Sequence, residues 1–105
     1  MRRGDVCRFR TPEVVGHEQR GVRYGIAVQA DELLPRSVVI VAPTSRSARS
    51  ASFRPEILIA GETTRVLVEQ IGAVDAQRLG DRSSSLSAEE MWAIDDALVT
   101  VLGLN

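Results

Sequence analysis

Apolar positions fall in short runs over the first three quarters of this chain, and their spacing becomes helical only near its end. Asp5 to Phe9 is strand-compatible and closes at Thr11-Pro12, and the next such run, Val22 to Gln29, starts after a polar stretch that reads as a loop. Val38 to Ala42, VVIVA, is a continuous β-branched run of the kind that forms a strand covered on both faces, with Pro43 as its stop. Thr44 to Ser52 has almost no apolar content and is expected to be a polar loop. Ile57 to Ile59 and Val66 to Ile71 recover strand character on either side of AGETT, and Ala76 to Leu79 offers a single turn. From Ser87 the period changes. Glu90 completes a capping box with Ser87, Met91, Ile94, Leu98, Val101 and Leu102 recur at helical spacing, and Gly103 supplies the C-cap. The pattern predicts an α+β chain, mainly β: a small, strongly curved sheet with one amphipathic C-terminal helix packed against it.

Composition narrows the class. A chain of 105 residues with 44% hydrophobic content supports one core rather than two, so residues 1–105 are read as a single domain. No stretch approaches the ~20 consecutive apolar residues of a membrane helix, and the charges of Arg2, Arg3 and Asp5 replace the apolar run of a signal peptide; the expectation is a cytoplasmic protein without membrane contact. Cys7 stands alone and His17 is the only histidine, so neither a disulfide nor a metal-ligand spacing is available, and no metal or cofactor is expected. The net charge of -1 conceals an asymmetry: residues 1–54 hold ten arginines against five acids, and residues 55–105 hold three against nine. All thirteen basic residues are arginine, whose planar fork suits bidentate phosphate contacts, although a GC-rich, Ala-rich genome explains the absence of lysine more simply.

Up to this point many functions fit. The segments MRRGDV, GHEQRGVR, VIVAPTS, FRPEILI, VLVEQIGAVDAQRLG and LSAEEMWAIDDALVTVLGL then stand in an order and spacing that resembles toxins of the MazF/PemK type, and the resemblance covers nearly the whole chain. It implies an SH3-like small barrel of five to seven strands with a C-terminal helix, usually as a homodimer. It also implies the toxin of a type II toxin-antitoxin pair: an endoribonuclease that cuts single-stranded RNA, messenger RNA included, at short sequence-defined sites. The ribose 2′-hydroxyl attacks the adjacent phosphodiester without a metal, and a MazE-like antitoxin with a partly disordered acidic segment neutralises the enzyme.

By this resemblance Arg23 and Thr44 occupy the places of the arginine and the alcohol associated with cleavage, and a one-residue change of register would present Ser45 in place of Thr44. A guanidinium stabilises the charge that builds on the non-bridging oxygens during the attack, and a hydroxyl adds a hydrogen bond. Arginine is a poor general base, so Glu18, in the HEQ segment, is the candidate for deprotonating the attacking hydroxyl or for orienting Arg23. Gln19, Arg20, Tyr24, Arg46, Arg49, Phe53 and Gln70 are candidate RNA contacts: the arginines for phosphates, the two rings for bases. Tyr24-Gly25 replaces the family's proline-alanine pair, and a residue is missing between Pro43 and Thr44.

Each of these residues also has a plainer reading. Arg23 alone is a solvated strand-end arginine, Thr44 a strand terminator, His17 a loop residue, Cys7 a small buried hydrophobe. Trp92 should edge the core, with Glu89, Glu90, Asp95 and Asp96 as the solvated face of the helix. Two other functions keep the fold. One is a family member that binds RNA or antitoxin without cutting, for which the two departures are the evidence. The other is a CcdB-like gyrase poison, which the arginine and alcohol pair and the LGLN ending argue against.

Overall fold

The computed structural model describes residues 1–9 and 23–105 of the chain. Its order is β1 (Asp5–Phe9), β2 (Arg23–Ala27), β3 (Val38–Ser45), β4 (Glu56–Ile59), β5 (Glu62–Val66), β6 (Gly72–Asp75), β7 (Leu79–Ser85) and α1 (Ala88–Leu102), with single 3₁₀ turns at Asp31–Leu33, Val68–Gln70 and Ala76–Arg78. All pairings are antiparallel, in the order β4-β5-β3-β2-β1-β7, and β6 joins β3 off that path. The seven strands and the C-terminal helix match the expected architecture.

Strand β3 is the hub. One edge pairs β2 through Val41 to Pro43, while the other pairs β6 through Val38 to Val41 and then β5 through Thr44 and Ser45. The strand therefore serves two sheet segments and must bend between them. Pro43 was expected to end it and does not. The Pro43 carbonyl accepts the Leu67 N–H at 2.8 Å, on the edge away from β2, and N–H and C=O of one strand residue point the same way. The missing N–H thus falls between the β6 and β5 ladders and removes no bond to β2. Nor is VVIVA covered on both faces throughout. Val39 and Val41 are buried, but Val38 and Ile40 keep 49% and 40% of their surface.

Two cores follow from the alternation of side chains. Val6, Ile26, Val28, Ala42, Ile57, Ile59, Val66 and Val68 face Ile94 and Ala97 of α1, whereas Ala27, Val39 and Val41 form a smaller cluster on the opposite face with Leu34, Val74 and Leu79 around it. Helix α1 starts as expected: Ser87 accepts the Glu90 N–H, the Glu90 carboxylate accepts the Ser87 N–H, and Gly103 ends the helix at φ 66. Three expectations for the helix fail. Leu102 and Trp92 are exposed, since the buried stripe runs through Ile94 and Ala97 and both lie off it, and Asp95 and Glu90 are not merely solvated. Asp95 pairs with Arg3 at 2.7 Å, and the second Glu90 oxygen accepts the Leu58 N–H at 3.1 Å, tying β4 to the start of the helix.

The region after residue 60 also differs from its expected layout. AGETT is a two-residue turn followed by strand: Ile59 pairs Glu62, with Ala60 at φ 52 and Gly61 at φ 80 between them, the two positive values a tight hairpin turn demands. Val68 to Gln70, expected as strand, is a 3₁₀ turn. Leu79–Ser85, LGDRSSS, is an edge strand against β1 that no apolar alternation announces.

Candidate nucleic-acid site

Arg23 opens β2 opposite Phe9 of β1, and Gly25 lies opposite Cys7 on one side and Pro43 on the other. Arg23 and Tyr24 pair with β1 on one edge, and Gly25 after them is held on both, so the sheet restrains the backbone where a proline at Tyr24 would have constrained it. A Cβ at Gly25 would meet the Phe9 side chain at 3.5 Å, an ordinary van der Waals contact, so an alanine fits at this position.

The start of β2 and the end of β3 form one wall of a groove of about 660 Å³; the β4-β5 hairpin forms the other. Arg23, Tyr24, Thr44, Ser45, Arg46 and Ser47 line the first wall, and Ile59, Ala60, Glu62 and Thr64 the second. Arg23 Nη1 donates to the Thr44 carbonyl at 3.5 Å, and the Thr44 hydroxyl donates to the Tyr24 carbonyl at 2.8 Å, so the two strand ends are laced together at the groove. Among the described residues no carboxylate pairs with Arg23, and partial burial lowers its pKa from the ordinary arginine value. The guanidinium remains a cation, less hydrated and so a stronger partner for an anion.

Gly25 opposite Pro43 also fixes the faces. By alternation Arg23 and Ser45 share the face of that pair, while Tyr24 and Thr44 share the other. Thr44 is buried with its proton on a carbonyl; Ser45 is half-buried, with its oxygen 3.4 Å from the Ser47 hydroxyl. Both alcohols nevertheless line the groove. The sequence thus brings its candidate arginine and both candidate alcohols to one place.

Other candidates fare differently. Arg46 lines the groove and forms an ion pair with Glu62. Tyr24 lines it too, with part of its ring against the main core. Phe53 packs on that core under the Arg54 guanidinium, 5.8 Å from the ring centre, and does not line the groove: in so small a chain a second ring is spent on burial. Arg49 is exposed away from the groove, its carbonyl accepting from Arg54, and Gln70 lies on the 3₁₀ turn with its amide toward Glu69. Glu18, Gln19, Arg20 and His17 lie outside the described residues. Cys7 is buried, and desolvation, followed by the nearby Asp5 charge, raises its thiol pKa, which leaves it unreactive as expected. Ile59, Glu62 and Thr64 had no motif to mark them; only the folding of the hairpin over β3 brings them to the site.

Comparison with known proteins adds an independent line. The family model for the PemK-like, MazF-like toxin of type II toxin-antitoxin systems matches residues 2–102. The curated Mycobacterium tuberculosis protein "Putative toxin Rv3098A/RVBD_3098A" is 42% identical over 90 residues, 85% of this chain and 84% of its own length. Among solved structures, a mycobacterial endoribonuclease in complex with its cognate antitoxin superposes with a TM-score of 0.80 at 21% identity, covering 100% of this chain and 97% of its own. MazF from Deinococcus radiodurans gives 0.81 at 18% identity, covering 98% and 96%. With the model spanning nearly every residue, the chain belongs to the PemK-like, MazF-like family of type II toxin-antitoxin toxins.

Proposed function

We propose that this toxin is a metal-independent endoribonuclease that cleaves single-stranded RNA, messenger RNA included, at sites its loops select. One observation carries the reading: Arg23, Thr44 and Ser45 line one open groove of about 660 Å³. In the reaction the 2′-oxygen attacks phosphorus, the bond to the 5′-oxygen breaks, and a 2′,3′-cyclic phosphate and a 5′-hydroxyl remain. Negative charge grows on the non-bridging oxygens meanwhile, and Arg23 neutralises it. Ser45 donates from the same face. The single Thr44 proton turns from the neutral Tyr24 carbonyl to the charged phosphate, which is the better acceptor. Glu18 takes the 2′-hydroxyl proton, and a water molecule supplies one to the departing 5′-oxygen. Restriction to RNA follows from the need for that hydroxyl.

The same groove suits the acidic segment of a MazE-like antitoxin, since arginines that attract phosphates also attract carboxylates. The complexes that structural neighbours form with their antitoxins support that partner, and family membership supports a homodimer acting in the cytoplasm. Incubating the purified protein with mixed-sequence single-stranded RNA in EDTA tests the activity. The expected products end in a cyclic phosphate on one fragment and a 5′-hydroxyl on the other, and Arg23→Ala yields none. Intact RNA with the wild-type protein, or cleavage unaltered by Arg23→Ala, would reject the proposal.

A further inference from the structure

Among the described residues that line the groove Glu62 is the only carboxylate, an odd group to find in a site for a polyanion. It stands at the first position of β5, directly after the Ala60-Gly61 turn, and its backbone is fixed there by the ladder to Ile59 and by the Thr64 hydroxyl, which donates to the Glu62 carbonyl at 3.2 Å. From that position its carboxylate accepts a hydrogen bond from Arg46 Nη1 across the groove. Arg46 is anchored in turn, as it follows Ser45, whose partner Arg65 holds the next turn of chain through a 3.1 Å bond to the Ala48 carbonyl.

The exposure of the pair separates it from the others. Arg3–Asp95, Arg54–Glu69 and Arg65–Glu56 each bury at least one partner to below 30% exposure and tie one element to another, whereas Arg46 and Glu62 remain 67% and 59% exposed. An ion pair so wet contributes little to stability and opens readily. It does determine which anion the Arg46 guanidinium holds when the groove is empty of ligand.

We propose that Glu62 is an internal stand-in for a backbone phosphate: in the free protein it occupies Arg46, and a bound strand must displace it. The inference rests on the nucleic-acid reading of the groove. Its physical content is that the cation is masked until a competing phosphate arrives, which lowers affinity for any polyanion while leaving base-specific contacts untouched. A strand that fills the rest of the groove brings its phosphate to Arg46 at high local concentration and wins. A stray anion, held at no other point, does not.

The test is a double-mutant cycle with Glu62→Gln and Arg46→Ala, read by fluorescence anisotropy on a short mixed-sequence oligonucleotide that is 2′-O-methylated throughout and so cannot be cut. At low salt Glu62→Gln should bind about two- to five-fold more tightly than wild type, the equilibrium equivalent of one exposed ion pair. Its affinity should also fall more steeply with salt, by up to about 0.7 in logarithmic slope, as one more cation is free to release a counterion. In the Arg46→Ala background the same substitution should do nothing. Equal tightening in both backgrounds would mean that Glu62 merely repels the strand, and no tightening in either would mean that it guards nothing; both overturn the stand-in while leaving the RNA reading intact. Binding by none of the four proteins would instead remove the RNA reading and this inference with it. Loss of RNA cleavage in Glu62→Gln with unchanged binding would make the carboxylate a participant in the chemistry and also overturn the proposal.

Discussion

Arg23 touches the Thr44 carbonyl, Thr44 touches the Tyr24 carbonyl, and Ser45 stands on the same face as Arg23, so three side chains and two strand ends frame the proposed phosphate position. Their expected contributions differ. Removing the guanidinium in Arg23→Ala leaves growing charge without a counter-ion and should lower kcat by at least about 100-fold, as losing a preorganised oxyanion donor does. Thr44→Val deletes a phosphate donor and the tie between the strands together, so about 100-fold is expected there as well. Ser45→Ala deletes one donor and breaks no link between strands, which predicts about ten-fold. Single-turnover cleavage with saturating enzyme separates these losses from binding, and a Ser45→Ala loss exceeding that of Thr44→Val would assign the principal alcohol to Ser45. These candidates were open to nomination from the sequence because the segments that carry the family resemblance keep their order along the chain. The far wall of the groove was not. Ile59, Glu62 and Thr64 reach the site only because the hairpin folds back over β3, and which of two half-buried rings also lines the groove, Tyr24 rather than Phe53, is decided by how the core packs.

At the scale of elements, the legible ones carried local signals. The helix had a capping box and a glycine stop, and both are realised at Ser87, Glu90 and Gly103. The elements that were misplaced or missed owe their form to neighbours. β7 is polar almost throughout and exists because β1 offers a ladder edge; β3 continues through Pro43 because the absent N–H falls where no strand needs it. The β4-β5 connection was placed at AGETT, but its two-residue length was not legible, for a chemical reason: tight hairpins favour Asn or Gly at both central positions, and this one places Ala60 at φ 52. An alanine held there is strained by about 1 kcal/mol. Ala60→Asn should relieve most of that without the flexibility a glycine adds to the unfolded chain, raising stability by roughly 0.5–1 kcal/mol, whereas Ala60→Val should lower it. Urea unfolding midpoints measure both, and a stabilised valine variant would show that the turn is not under strain.

At the scale of the whole molecule, the opposite charges of the two halves of the sequence are folded onto each other. Arg3 meets Asp95, Arg46 meets Glu62 and Arg54 meets Glu69, so an N-terminal excess of arginine does not become an equally basic surface; what stays uncommitted to a carboxylate among the described residues lining the groove is Arg23. The same pairing makes stability depend on acid. Arg54 donates twice to one Glu69 oxygen, at 3.0 and 2.5 Å, and these hydrogen bonds hold the Glu69 carboxyl below its ordinary pKa despite the opposing effect of burial. For Glu90 burial pushes upward, yet the N–H groups of Ser87 and Leu58 outweigh it and the net shift is again downward. Both carboxyls therefore bind fewer protons folded than unfolded around pH 4. The stability they confer is complete above the unfolded glutamate pKa of about 4.3 and disappears as pH falls through their lower folded values. Thermal midpoints recorded from pH 7 downward should be flat at first and then drop below about pH 4.5, where unfolded glutamates begin to take up protons. Glu69→Gln should start from a lower midpoint at neutral pH and lose less on acidification, because the charge whose protonation releases Arg54 is already gone. A variant that instead falls in parallel with the wild type would place the acid-sensitive linkage elsewhere, with the Glu90 contacts at the start of α1 as the next position to replace.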